Sequence, residues 1–131
     1  LGLGHAILTG KPLIGDEPFA VILADDLCIS DNNSVLSQMI DIYNKYQCCI
    51  VAIEEVEISE IENYGIISGI PLDKSNSIFQ VNEMIEKPSP KDAPSNLAII
   101  GRYILTPEIF DVIKNTKAST NGEIQITDAL N

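Results

Sequence analysis

Basic residues are scarce in this 131-residue sequence, which has 8 lysines and arginines against 19 aspartates and glutamates. The formal net charge of -11 repels polyanions and leaves no continuous basic stripe for a phosphate backbone. No apolar run approaches the roughly 20 residues that cross a bilayer. These absences argue against nucleic acid and membrane as partners, and we expect a soluble, cytoplasmic protein.

Cysteine and histidine are too few, and too unfavourably spaced, for a zinc site or covalent catalysis. Cys28, Cys48 and Cys49 show no CxxC spacing, and His5 is the single histidine of the sequence. His5 has neither an orienting carboxylate nor a nucleophile at a recognisable spacing. We therefore expect buried free thiols in a reducing compartment and a structural histidine.

The glycines near the start do not form a dinucleotide-binding fingerprint. In GLGHAI, Ile7 stands where G-x-G-x-x-G requires its last glycine, and no strand precedes it. Gly2 and Gly4 still allow a flat ligand to approach the backbone closely, since neither has a side chain. An ordinary turn is the alternative interpretation.

The apolar segments predict one α/β domain. Residues 19–24 and 49–53 are continuous apolar runs, typical of strands covered on both faces as in a parallel sheet. Between them, residues 35–43 repeat at helical spacing after a cap at Asn33 or Ser34. Strand, helix and strand within about 35 residues have the size of a right-handed βαβ crossover.

The second half of the chain continues this pattern. Residues 65–68, 78–86 and 97–105 read as strands, and the prolines of PSPKDAPS exclude regular structure between the last two. Thr106 caps a helix with Pro107 at its first position. A last helix is predicted to begin at Thr127.

Two aspartates follow the first predicted strand. In open α/β sheets ligands bind beyond the carboxyl ends of the strands, which is where Asp25 and Asp26 fall. Mg²⁺ needs only one or two protein carboxylates when phosphates supply its other ligands. The pair therefore indicates a cation and phosphate site, unless both aspartates merely cap the next turn.

A carboxylate and an ammonium group adjoin at the end of the strand predicted over 78–86. Glu86 can accept hydrogen bonds from two sugar hydroxyls, and Lys87 is a compact charge for a phosphate. Pro88 is expected to hold Lys87 in an extended backbone conformation. The alternative is a solvated surface pair.

Taken in order, five segments closely resemble the bacterial glucose-1-phosphate uridylyltransferases nearly end to end: GLGHAIL, FAVILADDL, NYGII, MIEKPSPKDAPSNLAIIGRYILTPEIF and GEIQITDAL. The resemblance implies an α/β fold, a Rossmann-like sheet of the nucleotide-diphospho-sugar transferases with flanking helices, incomplete at both ends. Residues 1–131 would form a single partial domain, without the GxGTRxxP loop that precedes this region in the family and without its C-terminal part.

The resemblance also implies an activity. Family members join UTP to glucose 1-phosphate with Mg²⁺ and release pyrophosphate and UDP-glucose. We expect this chain alone to have little activity, and the full-length protein to be a homo-oligomer. A thymidylyltransferase of the same superfamily, a noncatalytic sugar-nucleotide-binding module and a glycosyltransferase remain alternatives.

Residue roles follow from the same resemblance. Asp25 matches the Mg²⁺-binding aspartate and Lys87 the phosphate-binding lysine, which together form the catalytic pair, and Asp26 is a neighbour. The substrate-binding positions are Gly2 at the uracil, and Tyr64, Gly65, Glu86, Asn96 and Ile99 at the sugar. GEIQITD is expected to form a wall, with Glu123 and Asp128 as further candidates.

Overall fold

The longest strand organises the sheet in the computed structural model, which describes residues 2–131. The strands are β1 (Phe19–Ile22), β2 (Ile50–Glu55), β3 (Gly65–Pro71), β4 (Phe79–Glu86) and β5 (Leu97–Leu105). The helices are α1 (Leu3–Thr9), α2 (Lys11–Ile14), α3 (Val35–Tyr46), α4 (Ile109–Asn115) and α5 (Ile126–Leu130), with a 3₁₀ segment at Ile58–Asn63. This confirms the α/β class with flanking helices.

Strand β5 pairs with three other strands, all antiparallel to it. Ile104 pairs with both β1 and β2, and Ala98 pairs with both β2 and β3. Since a strand residue has only two sides, β2 runs along one side of β5, and β1 and β3 share the other. β4 then pairs with β3 and ends the sheet.

The strand–helix–strand unit is present, but the expected parallel pairing is wrong. β1 and β2 run in the same direction on either side of β5, so each is hydrogen-bonded to an antiparallel neighbour. The prediction failed because a continuous apolar run reports burial on both faces, not the direction of the adjacent strand. α3 packs on β2 and β5 through a small cluster around Met39 and Ala52.

The main core lies between β5 and the helices that follow it. Its fully buried side chains include Phe110, Ile113, Leu105 and Ile67. Phe110 also stacks on Phe19 of β1 with ring centroids 5.1 Å apart. The core thereby fixes β5 against α4, and β5 carries the strands that surround the site.

Local signals placed several element ends at or within two residues of their observed positions. The Ser34 side chain accepts a hydrogen bond from the backbone N–H of Ser37 and so caps α3, which ends at Tyr46 as predicted. α4 begins at Ile109, two residues after the predicted Pro107, because residues 107–108 form a turn, so the helix is capped at Glu108 and the predicted cap at Thr106 is wrong.

The cysteines are free, as predicted, but they are not fully buried. Cys48 is exposed, whereas Cys28 and Cys49 are half-buried. Burial, and then the neighbouring Cys49, raise the pKa of the Cys48 thiol. The expectation of buried thiols rested on what is usual for cysteine, and the turn after α3 brings Cys48 to the surface instead. No helix in residues 2–131 has the length and apolar character needed to span a bilayer.

Candidate active site

A cleft of about 460 Å³ opens where β1 and β3 diverge from the same side of β5. β1 leaves β5 after the pair Ile22–Arg102, and β3 joins it at the pair Ile66–Ala98. Residues 99–101 of β5 therefore form the floor, and Ile99 is one of the predicted site residues found there. The cleft is a direct consequence of two strands sharing one edge with a gap between them.

The end of β4 and the start of β3 form one wall of this cleft, here called the strand wall and defined by Gly65, Glu86 and Thr127. Gly65 and Glu86 are directly paired in the β3–β4 ladder. The Thr127 hydroxyl of α5 donates to Glu86 Oε2 at 3.0 Å. A Cβ atom on Gly65 would lie 3.0 Å from Thr127 Cγ2 and 3.3 Å from Glu86 Oε2, so glycine is needed for this packing.

Lys87 follows the strand wall with a backbone that the sequence did not predict. Its φ is +44°, in the left-handed region, so the expected extended conformation before Pro88 is wrong. The Lys87 N–H donates to Tyr64 O at 3.0 Å, a contact that turns the chain away from β4. A non-glycine residue in this region carries strain of about 1–3 kcal/mol, which is found most often at functional sites.

The Lys87 side chain is exposed at the cleft, and Tyr64 also lines it. Within residues 2–131, the one ion pair joins Lys11 to Asp111, so no described carboxylate neutralises the Lys87 ammonium. Lys87 is therefore free to contact an anionic ligand.

The opposite wall is residues 23–26, here called the loop wall. Asp26 anchors it, because its carboxylate accepts the Gly101 N–H at 2.5 Å and its carbonyl accepts from Arg102 at 2.6 Å. Arg102 also donates to Leu23 O at 3.1 Å. Asp26 thus holds the loop against β5 through a contact between residues far apart in the chain, which is neither the predicted cation site nor a cap of the next turn.

Asp25 differs from its neighbour. Its side chain is exposed and lines the cleft, and no donor among residues 2–131 makes a hydrogen bond or ion pair with its carboxylate. One exposed carboxylate does not make a metal site alone, and no group of three potential ligands occurs in the described residues. Asp25 could hold a hard cation only together with ligand phosphates.

The charge of the cleft is negative. Asp25, Asp26, Glu54 and Glu86 line it, and Lys87 is the single lysine or arginine among its described lining residues. Such a surface repels a triphosphate or a sugar phosphate unless added cations compensate.

Tyr103 of β5 lies between the two walls. It is 5% exposed, and burial, followed by the charges of Glu86 and Asp26, raises the pKa of Tyr103 to about 12. Its hydroxyl therefore stays protonated at neutral pH. Sequence reasoning missed Tyr103, since an apolar strand gives no sign of which aromatic faces a ligand.

Two predicted site residues do not line the cleft. Gly2 has φ +91°, and its Cα packs against residues 123–124, where an added Cβ would lie 2.9 Å from Glu123 Cβ. Asn96 is engaged with Val56, whose carbonyl accepts from Asn96 Nδ2 at 3.3 Å. Within the described chain both residues contact protein, and Leu3 reaches the cleft beside Gly2.

Glu123 and Asp128 line an adjoining depression of about 470 Å³, which shares Glu86 and Lys87 with the cleft. The segment of GEIQITD thus forms a wall on the far side of Lys87. A larger groove of about 610 Å³ lies between β2 and β4, but it contains none of the predicted site residues. The smaller cleft is therefore the candidate active site, because the charged residues predicted for the site line it and not the larger groove.

Thr127 and Arg102 are the other residues that sequence reasoning missed. Thr127 was predicted as a helix start, but it lies inside the first turn of α5 and contacts Glu86. Arg102 sits in a bulge where the β2–β5 register shifts, and no local sequence signal marks such a position.

An antiparallel sheet with a carboxylate and a lysine on opposite walls of one cleft is an arrangement suited to transfer of phosphorylated groups. Residues 1–131 match the family model described as nucleotidyl transferase, and the chain belongs to this family.

Similar proteins narrow the comparison further. A UTP--glucose-1-phosphate uridylyltransferase of Pseudomonas aeruginosa is 63% identical over 130 residues, covering 98% of this chain and 46% of the relative. A crystal structure of a UDP-glucose pyrophosphorylase complexed with UDP-glucose superposes with a TM-score of 0.93 at 62% identity, covering 98% of this chain and 48% of that one. The structure of a UTP-bound UGPase from Acinetobacter baumannii superposes with a TM-score of 0.83 at 36% identity. The match covers 98% of this chain and 44% of that one.

These comparisons confirm the resemblance to glucose-1-phosphate uridylyltransferases. The chain spans about half the length of the curated relatives that it matches.

Proposed function

We propose that this chain is part of a UTP--glucose-1-phosphate uridylyltransferase and contributes the sugar-phosphate side of its active site. The observation that carries the proposal is one cleft with Asp25 on one wall, and with Glu86 and Lys87 at the other, in a chain 63% identical to such an enzyme. The domain would be partial, since more than half of the relative has no counterpart here.

The reaction requires no protein nucleophile. A phosphate oxygen of glucose 1-phosphate would attack the α-phosphorus of UTP; that new P–O bond forms as the bond to the β-phosphate bridging oxygen breaks, and pyrophosphate leaves. Catalysis of such a step depends on aligning two anions and on stabilising the charge that moves between them. Lys87 is the residue of this cleft suited to that task.

The strand wall would bind glucose. One oxygen of Glu86 is engaged by Thr127, which leaves Oε1 to accept sugar hydroxyls. Gly65 and the buried Ile99 would border the sugar, and the absence of a Cβ on Gly65 allows Thr127 and Glu86 to pack closely beside it. Tyr64 would border the same space.

Mg²⁺ is the cofactor that we propose. Asp25 fits it as a hard oxygen ligand with no protein partner among the described residues, and the negative cleft calls for a compensating cation. When bound, Mg²⁺ would supply neutralisation of the triphosphate charge. Asp26 would not serve as a direct ligand, since Gly101 occupies its carboxylate.

Other parts of the proposal extend to the whole protein. We expect a cytoplasmic homo-oligomer, with UTP and UDP-glucose as nucleotide ligands and further phosphate-binding groups outside this chain. Lys87 is the single lysine or arginine among the described residues that line the cleft, which supports that last expectation. Gly2 remains our candidate for contact with the uracil, although it packs against Glu123 here.

The test is pyrophosphate release by the full-length protein that contains this segment. We expect release with glucose 1-phosphate, Mg²⁺ and UTP, with dTTP a poorer substrate and this chain alone nearly inactive. Preference for dTTP would favour the thymidylyltransferase alternative. Tight UDP-glucose binding without any pyrophosphate release would favour a binding module.

A further inference from the structure

The polar side chain of Thr127 is fully buried, with 2% of its surface exposed. Its hydroxyl donates to Glu86 Oε2 at 3.0 Å. A buried hydroxyl needs a partner, and here that partner is the carboxylate proposed to receive the sugar. The contact therefore couples α5 to the ligand-binding surface.

The methyl group of Thr127 has a second contact. A Cβ atom added to Gly65 would lie 3.0 Å from this methyl group, so the methyl group fills the space beside the glycine. Valine would keep this packing without the hydroxyl, and serine would keep the hydroxyl without the methyl. The two functions of the side chain can be separated by substitution.

α5 is held firmly relative to Glu86. Ile126 and Ala129 are buried on either side of Thr127, with 4% and 6% exposed. The Asn131 side chain accepts from Met84 N–H at 2.8 Å and donates to Met84 O at 2.7 Å. Helix and strand β4 are thus tied together two residues before Glu86, which gives Thr127 a fixed position from which to orient the carboxylate.

We propose that Thr127 is a positioning residue for recognition of the sugar: it fixes one oxygen of Glu86 so that the other faces the hydroxyls of glucose 1-phosphate. This inference rests on the proposed function. Without the hydroxyl, Glu86 gains rotational freedom that binding of the sugar must remove. The loss should appear in recognition of the sugar phosphate and not in recognition of the nucleotide.

The test compares Thr127→Val with Thr127→Ser in the full-length protein. Thr127→Val should raise the KM for glucose 1-phosphate about tenfold, the effect of one hydrogen bond to a charged group, and leave the KM for UTP unchanged. Thr127→Ser keeps the hydroxyl, so its KM for glucose 1-phosphate should stay close to that of the wild type. Thr116→Val is the matched control, since the Thr116 hydroxyl donates to a carbonyl in α4 away from the cleft.

A double-mutant cycle then asks whether Thr127 acts through Glu86. In a Glu86→Ala background, which removes the acceptor, Thr127→Val should cause little further change, whereas an undiminished tenfold loss would overturn the inference. So would an unchanged KM for glucose 1-phosphate in Thr127→Val, or equal increases in both KM values.

An unfolded variant and an inactive wild type have different consequences for the inference. If Thr127→Val does not fold, Thr127→Ala removes the hydroxyl without a second methyl and is held to the same expectations. A wild-type protein that turns over no glucose 1-phosphate would overturn the proposed function, and this inference with it. An active wild type with an insensitive Thr127 would overturn the inference alone.

Discussion

The two walls of the cleft are built differently. In the strand wall, Gly65, Glu86 and Thr127 restrain one another through pairing, a hydrogen bond and close packing. In the loop wall, Asp26 secures the backbone, but Asp25 has no partner among residues 2–131.

The chain continues from the loop wall with apolar side chains in solvent. Leu27 and Ile29 are 82% and 85% exposed. The contrast teaches that contacts within this chain preform the strand wall, which is the proposed sugar side, whereas they leave Asp25 of the loop wall, the proposed cation ligand, without a partner among the described residues.

The largest expected effect lies at Lys87, which directly follows the strand wall. Lys87→Ala should lower kcat/KM of the full-length protein by about 10²–10³-fold, the usual cost of removing one stabilising group for developing charge, and leave the fold intact. Steady-state kinetics with a thermal melt would measure both. Turnover at the wild-type rate would contradict the role of the ammonium.

Lys87→Gly is the matched variant for the backbone. Glycine adopts the positive φ of +44° without strain, so it should be about 1 kcal/mol more stable than Lys87→Ala while equally inactive. Denaturant titration would detect this difference. Equal stability of the two variants would show that the turn at Lys87 stores no strain.

The two adjacent aspartates should differ in what their removal affects. Asp25→Ala should lower turnover about 10²-fold with little change in stability, since its carboxylate is exposed and touches no described donor. Asp26→Ala should lower the free energy of unfolding by about 1–3 kcal/mol, because the buried Gly101 N–H loses its acceptor, whereas Arg102 keeps its bond to the backbone carbonyl of residue 26. Steady-state kinetics and urea titration of both variants would show whether Asp25 supports turnover and Asp26 supports stability.

The reverse division would break the comparison between the walls. Loss of stability in Asp25→Ala, with full activity, would mean that Asp25 supports the loop and contacts no cation.

A smaller effect is expected at Gly65. An added Cβ would press on Thr127 Cγ2 at 3.0 Å and displace Glu86, so Gly65→Ala should raise the KM for glucose 1-phosphate several-fold, on the order of 1 kcal/mol. Removing that methyl with Thr127→Ser should partly restore the KM. A KM that rises further in the double variant would place the effect elsewhere.

The smallest expected effect is a pH dependence of stability at Tyr103. This residue lies close enough to a carboxylate of each wall, Glu86 and Asp26, for their charges to act on its hydroxyl. Burial and the carboxylates of Glu86 and Asp26 raise the pKa of Tyr103 to about 12 from its ordinary 10.0. The folded state thus retains the proton longer than the unfolded state, so this group's stabilisation is complete below pH 10 and is lost between pH 10 and 12.

Absorbance titration of phenolate should show one late-titrating tyrosine that disappears in Tyr103→Phe. The stability of Tyr103→Phe should also fall less steeply over the same pH range. A variant with an unchanged titration curve would show that Tyr103 ionises normally.

Much of this site could be predicted from local sequence. Glu86 and Lys87 lie at the end of one predicted strand and Asp25 follows another, so element ends indicate these cleft residues, whereas Gly65 was predicted from the family resemblance. What local sequence could not give is the way that β1 and β3 share one edge of β5, which depends on contacts far apart in the chain.

Three side chains illustrate that limit. Thr127 meets Glu86 across 41 residues, and Asp26 meets Gly101 across 75, so neither contact has a local signal. Lys87 precedes a proline, yet its amide is drawn to Tyr64 O and its φ becomes positive. In each case a tertiary contact overrode or completed the local preference.

The most direct test of the account is a crystal structure of the full-length protein with UDP-glucose and Mg²⁺. The account predicts the glucose hydroxyls on Glu86, the sugar-linked phosphate within hydrogen-bonding distance of Lys87, and Asp25 coordinated to the cation at the nucleotide phosphates. A ligand bound away from the cleft between β1 and β3, or a cation with no contact to Asp25, would contradict it.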